Sequence, residues 1–140
     1  MTTSQTEEQT FYDAVGGHAF FERLVGRFYD GVADDPVLRP LYPEEDLTGA
    51  RWRFMAFLEQ YWGGPTTYSQ VQGHPRLRMR HAPFAVTMQG REHWLRHFRA
   101  AMDEAGMDPA HYAELWTYVE RASLHMVNSH DPLAEVVPEA

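Results

Sequence analysis

The sequence predicts an all-α protein with a single domain. Apolar residues recur at three- and four-residue steps along most of the chain, and strand-like alternation is almost absent. The 140 residues, 44% of them hydrophobic, suffice for one core. Residues 1–10 and 131–140 are polar or acidic, so we expect flexible ends around a folded domain over 11–130.

Glycine and proline bound the first two long helices. An amphipathic stripe predicts a helix over roughly 18–33, entered after a Gly-Gly pair. Prolines keep 36–43 compact and non-helical overall. The second helix, roughly 47–62, carries apolar residues on more than one face, so we expect deep burial. Gly63-Gly64-Pro65 ends it.

The next two helices also have clear boundaries. Residues 65–74 are predicted to form a loop. A third helix runs from near Thr87 or Gln89 to about residue 105 and ends at Gly106. Asp108-Pro109 supplies an N-cap and a first-turn proline for a fourth helix over 109–128. One or two short helices complete the prediction.

Composition excludes several classes of function. The formal net charge of −8 disfavours a nucleic-acid partner, because phosphates would be repelled. The absence of cysteine excludes disulfides, iron–sulfur clusters, thiolate zinc sites and thioether-linked cofactors. No run of about 18 apolar residues and no signal-peptide core is present, so we expect a cytoplasmic protein without a membrane span.

The segment 73–84 carries the most chemical information. Three arginines alternate with apolar residues and lead into His81, which Pro83 follows. This pattern predicts a short helical turn with one imidazole facing inward and guanidinium groups at a rim. Such an arrangement suits a flat cofactor with a metal centre and anionic edges, such as haem. Taken alone, however, one histidine is more often a structural residue.

Three residues with polar tips lie on apolar stripes or among prolines: Tyr29, Tyr42 and Trp94. Each needs a hydrogen-bond partner if it is buried, although an aromatic residue on a helical stripe is more often core. His93 and His97 have the i, i+4 spacing of a metal pair. They lack a nearby carboxylate, and their apolar neighbours occupy the buried side, so we expect both at the surface.

Seven runs of the sequence together resemble a truncated haemoglobin of group II. The matching runs are 11–17, 27–29, 41–47, 57–65, 73–84, 94–95 and 126–129. The resemblance implies a truncated globin, a two-over-two helical sandwich around haem, with the four long helices as its B, E, G and H helices. It also implies that His81 is the iron ligand and that Tyr29, Tyr42 and Trp94 stabilise the bound gas.

The resemblance further implies a set of residues around haem b. The expected apolar lining is Phe28, Phe54, Phe57, Leu58, Leu77, Phe84 and Met126, with Ala50 facing the distal side. Many family members carry leucine where this chain has Phe54. The small Ala50 leaves a gap for ligand entry, which Phe54 partly closes. The expected partners of the haem propionates are Arg53, Arg76 and Arg80, with Tyr68 and His74 as further candidates. His74 has an alternative role as a polar cap of the short helix.

Two functions of different classes follow. The first is reversible binding of O2 with high affinity and slow release, for storage, sensing or transport; CO and NO are further ligands. The second is a redox enzyme that oxidises nitric oxide with bound O2 or reacts with peroxides. Turnover would require a separate reductase, because no flavin or nicotinamide motif is present. A cofactor-free helical interaction module is a third alternative. The oligomeric state stays open, with a homodimer as one option.

Overall fold

The described part of this computed structural model comprises residues 9–76, 80–81 and 85–129, and it is helical without any strand. The elements are α1 Phe11–Val15, α2 Gly17–Ala33, a short 3-10 helix Arg39–Leu41, α3 Thr48–Tyr61, α4 Thr67–Gln72, α5 Met88–Ala105 and α6 Pro109–Met126. The all-α prediction is confirmed. Residues 1–8 and 130–140, which cover most of the predicted flexible ends, lie outside the described residues.

Side-chain caps fix the start of several helices. The Thr87 hydroxyl accepts the Gly90 N–H at 3.0 Å and begins α5. The Asp108 carboxylate accepts the His111 N–H at 2.9 Å and begins α6, with a proline in the first turn as predicted. Thr10 caps α1 in the same manner, so this residue of the expected N-terminal extension belongs to the folded domain.

Two sequence predictions about local structure are wrong. The segment 65–74 is not all loop, because Thr67–Gln72 forms α4. Gln60 on α3 holds this helix, since its amide oxygen accepts the Ser69 N–H at 2.9 Å. The second long helix is also not buried on all sides. Phe57 and Leu58 are in the core, whereas Tyr61 is 54% exposed.

The core lies between two helix pairs. Helix α2 packs most extensively on α5 and also on α3, and α5 packs on α6. The end of α3 reaches α6 through the Tyr61 and Tyr118 rings, whose centroids are 4.3 Å apart. The largest fully buried side chains are Phe20, Phe21, Phe28, Phe98, Leu24, Leu58, Met102 and Leu115. This arrangement of α2 and α3 against α5 and α6 is the predicted two-over-two sandwich.

Among the described residues, no helix is long and apolar enough to cross a membrane.

Candidate functional site

An aromatic cluster joins α2, α3 and α5 at one end of the core. Phe54 of α3 lies at its centre, with its ring centroid 6.2 Å from that of Tyr29 and 5.8 Å from that of Trp94. Tyr42, which directly follows the 3-10 helix, contacts Tyr29 at 5.7 Å. The three predicted donors, from three separate segments, therefore belong to one cluster.

The two phenols of this cluster hold their protons tightly. Burial raises the pKa of Tyr29 well above its ordinary value, and its interaction with Tyr42 raises it further. Burial also raises the pKa of Tyr42, although the hydrogen bond with Tyr29 opposes this shift. The two phenols therefore share a hydrogen bond.

Arg39 positions Tyr42 through backbone contacts. Its carbonyl accepts the Tyr42 N–H at 3.1 Å, and its guanidinium donates to the Tyr42 carbonyl at 3.0 Å. The same guanidinium donates to the carbonyls of Glu44 and Glu45, both at 2.8 Å. One arginine side chain thus fixes the turn that carries a predicted donor, and the sequence alone did not single it out.

Trp94 is held by ring contacts on α5 and α2. It stacks on Phe98 with a centroid distance of 5.0 Å and an interplanar angle of 5°. Phe28 meets its ring edge-on at 5.1 Å. Such aromatic pairs contribute about 0.5–1.5 kcal/mol each beyond their buried area. The indole orientation is therefore set by packing.

Ala50 lies on α3 one turn before Phe54 and is 3% exposed.

A separate cavity of about 250 Å³ reaches Tyr29 from the side of the α2–α3 connection. Its lining is Tyr29, Asp30, Ala33, Arg39, Glu45, Leu47, Thr48 and Arg51. A cavity with so many charged residues does not suit a flat apolar cofactor.

His81 is partly buried, and both it and the preceding Arg80 have helical backbone. Asn128, which follows α6, ties this segment to the rest of the fold. Its side-chain amide donates to the His81 carbonyl at 3.4 Å, and its side-chain oxygen accepts the Val86 N–H at 2.9 Å. Asn128 thereby connects the segment of His81 to the beginning of α5, a role that the sequence did not indicate.

The predicted rim residues fall into two places. The Arg80 guanidinium donates to the carbonyls of Gln72, Pro75 and His74 at 2.6, 2.7 and 3.0 Å. It also lies over the buried Tyr68 ring, 5.8 Å from the centroid. His74 and Arg76 are exposed, and Arg76 has a φ of 41°, in the left-handed region. Arg53 lies elsewhere, where it forms an ion pair with Glu44.

The expectation that His93 and His97 are surface residues is wrong. Their side chains are only 20% and 19% exposed, and both contact the buried Asp35 carboxylate. The sequence does not reveal this contact because Asp35 is 58 residues from His93. Among the described residues, no group of three or more histidine, aspartate or glutamate side chains is placed to hold a metal ion.

The side chains around Phe54 and the imidazole of His81 have the chemistry that a haem site requires. Two phenols and an indole surround an aromatic wall, and a partly buried imidazole comes from a separate segment. Tyr42, Phe54 and Trp94 pack on the core but remain partly exposed, as expected for side chains that line a site. A haem requires an apolar wall, one imidazole and hydrogen-bond donors. These residues fit it.

Comparison with known proteins decides the family. The model of the bacterial-like globin family matches residues 10–128. The group 2 truncated haemoglobin YjbI of Bacillus subtilis is 39% identical over 117 residues, 84% of this chain and 87% of the relative. The chain belongs to the bacterial-like globins.

Solved structures agree with this membership. A thermostable haemoglobin from the actinobacterium Thermobifida fusca has a TM-score of 0.85 and 55% identity, covering 86% of this chain and 98% of the other. A truncated oxygen-avid haemoglobin from Bacillus subtilis has a TM-score of 0.81 and 38% identity, covering 86% and 100%. The chain is thus a truncated haemoglobin of group II, and the predicted resemblance is confirmed. Membership implies haem and the binding of a small gas to it.

Within this truncated haemoglobin, the predicted haem-contacting residues have different degrees of burial. Phe28, Phe57, Leu58 and Ala50 are buried, whereas Phe54 is partly buried. Met126, the last residue of α6, is also partly buried. Leu77 and Phe84 lie outside the described residues. The predicted roles of all these residues in haem binding stay predictions.

Proposed function

We propose that this protein binds O2 reversibly at a non-covalently held haem b, with His81 as the iron ligand. Tyr29, Tyr42 and Trp94 are the proposed hydrogen-bond donors to the bound gas. The observation that carries the proposal is that these three side chains meet in the aromatic cluster around Phe54. Haem b is proposed because the sequence has no cysteine for a thioether attachment.

The donors suit a ligand that carries negative charge. When bound, haem supplies an iron centre at which a diatomic gas binds and gains partial negative charge. A hydrogen bond to a charged acceptor contributes about 1.5–3 kcal/mol, or roughly ten- to a hundred-fold in ligand dissociation. The raised pKa values of Tyr29 and Tyr42 keep both phenols protonated, and therefore able to donate, at neutral pH.

The three donors have different expected roles. Tyr29 and Tyr42 share one hydrogen bond, so one hydroxyl hydrogen of the pair is available to the gas. The indole N–H of Trp94 donates but cannot accept a proton. High affinity and slow release follow if both groups act on the same ligand. The oxygen-avid truncated haemoglobin of Bacillus subtilis, 38% identical to this chain, supports this expectation.

Ala50 and Phe54 are proposed to control access to the distal side. The methyl group of Ala50 leaves space one helical turn before Phe54. The Phe54 ring contacts Tyr29 and Trp94, so it fills the space between two donors. We propose that this ring, and not residue 50, limits how fast a gas enters.

For the haem propionates we propose Arg53, Arg76 and Arg80, with Tyr68 and His74 as further contacts. Arg80 is bound to backbone carbonyls and Arg53 to Glu44. A propionate would therefore compete with existing acceptors for both. All three arginines are exposed.

Absorption spectra of the purified protein, with and without dithionite and CO, test the proposal directly. We expect a Soret band that shifts when CO binds the reduced protein. His81→Ala should abolish stable haem binding, because it removes the proposed iron ligand. His125→Ala, an exposed histidine in the last turn of α6, is the matched control and should keep the full spectrum. A His81→Ala protein with an unchanged ferrous spectrum would contradict the assignment.

A second measurement separates gas binding from turnover. Steady-state consumption of nitric oxide or peroxide, followed with a reductase and its electron donor present, measures enzyme activity. We expect the oxygenated protein to persist through the assay, as a reversible carrier should. Sustained turnover coupled to electron-donor consumption would instead identify a redox enzyme that depends on a separate reductase.

A further inference from the structure

A buried carboxylate lies between the segments that carry two of the proposed donors. Asp35, just after α2, is only 5% exposed. Its Oδ2 lies 2.6 Å from Nε2 of His97 and 3.0 Å from Nδ1 of His93. Its Oδ1 accepts the N–H groups of Val37 and Leu38 at 2.8 and 3.1 Å. This side chain thus joins the α2–α3 connection to α5.

The chemistry of the cluster fixes its protons. An ionised carboxylate can only accept hydrogen bonds, so each contacting imidazole nitrogen must carry a hydrogen. Burial acts to raise the pKa of Asp35, but hydrogen bonds from His93, His97 and two backbone N–H groups outweigh it and hold the pKa well below its usual range. Asp35 therefore stays ionised and holds both rings in defined orientations.

The backbone of Asp35 is linked to that of Tyr42 through Arg39. The backbone carbonyl of Asp35 accepts the backbone N–H of Arg39 at 2.8 Å. Arg39 in turn holds the Tyr42 backbone through its carbonyl and its guanidinium. A shift of the Asp35 backbone would therefore move the short turn that carries Tyr42.

On the other side, the two imidazoles fix α5 near Trp94. His93 precedes Trp94, and His97 lies one turn further along the helix, so both turns that flank the indole are anchored to Asp35. The His97 ring lies directly over Gly31 of α2, where an added Cβ would overlap it. This close approach leaves little freedom for α5 to rotate or slide against α2.

We propose that Asp35 is a positioning residue that sets the placement of Tyr42 relative to Trp94, and thereby the hydrogen bonding that the bound gas receives. This inference rests on the proposed function. The 2.6 Å separation of Oδ2 and Nε2 is that of a direct hydrogen bond.

The principal test is Asp35→Asn in the haem-loaded protein. The amide oxygen can still accept from Val37, Leu38 and, at 3.2 Å, His93, but the amide nitrogen cannot accept from His97. We expect the C–O stretching frequency of the ferrous CO complex to rise, because weaker donors act on the ligand. We also expect O2 dissociation to accelerate roughly five-fold, the effect of weakening one hydrogen bond.

Two further variants test the same contact from α5. His97→Gln keeps an N–H donor for Asp35, whereas His97→Leu removes it. We expect the glutamine variant to keep the native stretching frequency and the leucine variant to shift it upward. This pair decides the question if Asp35→Asn does not fold. Asp46→Asn is the matched control, since Asp46 is exposed in the same connection and caps Thr48 without contacting α5.

The outcomes are distinguishable. If Asp35→Asn and His97→Leu lower only the denaturation midpoint, and leave the C–O stretch and O2 dissociation at native values, Asp35 merely holds the fold and the positioning role is wrong. If the native protein forms no CO complex, the proposed function itself fails, and the positioning role fails with it.

Discussion

At the scale of single residues, the proposed site depends on polar atoms in an apolar surrounding. Tyr29 is 5% exposed, and its phenol lies among aromatic rings. In such surroundings a donor loses little strength to competing water. Removing one donor without removing its ring should therefore have a measurable effect on ligand release.

Trp94→Phe tests the indole donor. Phenylalanine preserves an aromatic ring for stacking on Phe98 but removes the N–H. We expect O2 release to accelerate about ten-fold or more, through loss of one charge-assisted hydrogen bond. Stopped-flow measurement of O2 dissociation checks this. Trp116→Phe on α6, outside the aromatic cluster, should leave the rate unchanged. A native rate in Trp94→Phe would mean that Trp94 is only a packing residue.

Phe54→Leu tests access. The smaller side chain opens space between Tyr29 and Trp94, so CO association measured by flash photolysis should be faster. Phe11→Leu is the control for general loosening, because Phe11 contacts Trp62 and His111 instead of the cluster. Equal association rates in Phe54→Leu and the native protein would show that the ring does not block entry.

At the scale of elements, the boundaries depend on side-chain caps that are local in sequence. The long helices α2, α3, α5 and α6 begin and end close to their predicted positions, because caps, glycines and prolines act within a few residues. Helix α4 was not predicted from the sequence. It has only six residues, and contacts with Gln60 of α3 hold it.

Thr87→Ala tests the cap of α5. Loss of the hydroxyl leaves the Gly90 N–H without its side-chain acceptor and should cost about 1 kcal/mol of unfolding free energy. Urea denaturation of the haem-loaded protein measures it. Thr87→Ser should keep most of the stability, since it retains the acceptor oxygen. Thr117→Ala, at an exposed position inside α6, should show no such loss. Equal midpoints for Thr87→Ala and the native protein would contradict the cap.

At the scale of the whole molecule, acid stability should depend on Asp35. Its pKa is lowered in the folded protein relative to about 3.9 in an unfolded chain. Its contribution to stability is therefore fully present above about pH 4 and is lost as the pH falls toward the lower folded value.

Asp35→Asn should accordingly weaken the pH dependence of unfolding below about pH 4. Denaturant titrations followed by circular dichroism at several pH values measure the slope. Asp34→Asn, the exposed neighbour, should keep the native slope. An unchanged slope in Asp35→Asn would show that the carboxylate contributes nothing to acid stability.

The sequence by itself determined the helical class, the four long helices and the family, because these depend on periodicity, caps and motif runs. It also identified Tyr29, Tyr42 and Trp94 as candidates. Only the tertiary structure decided that Arg39 fixes Tyr42 and that Asp35 holds His93 and His97. For the contacts of Asp35, the physical reason is sequence distance. Asp35 lies 62 residues from His97, so no local pattern can reveal a contact that exists only after α2 packs on α5.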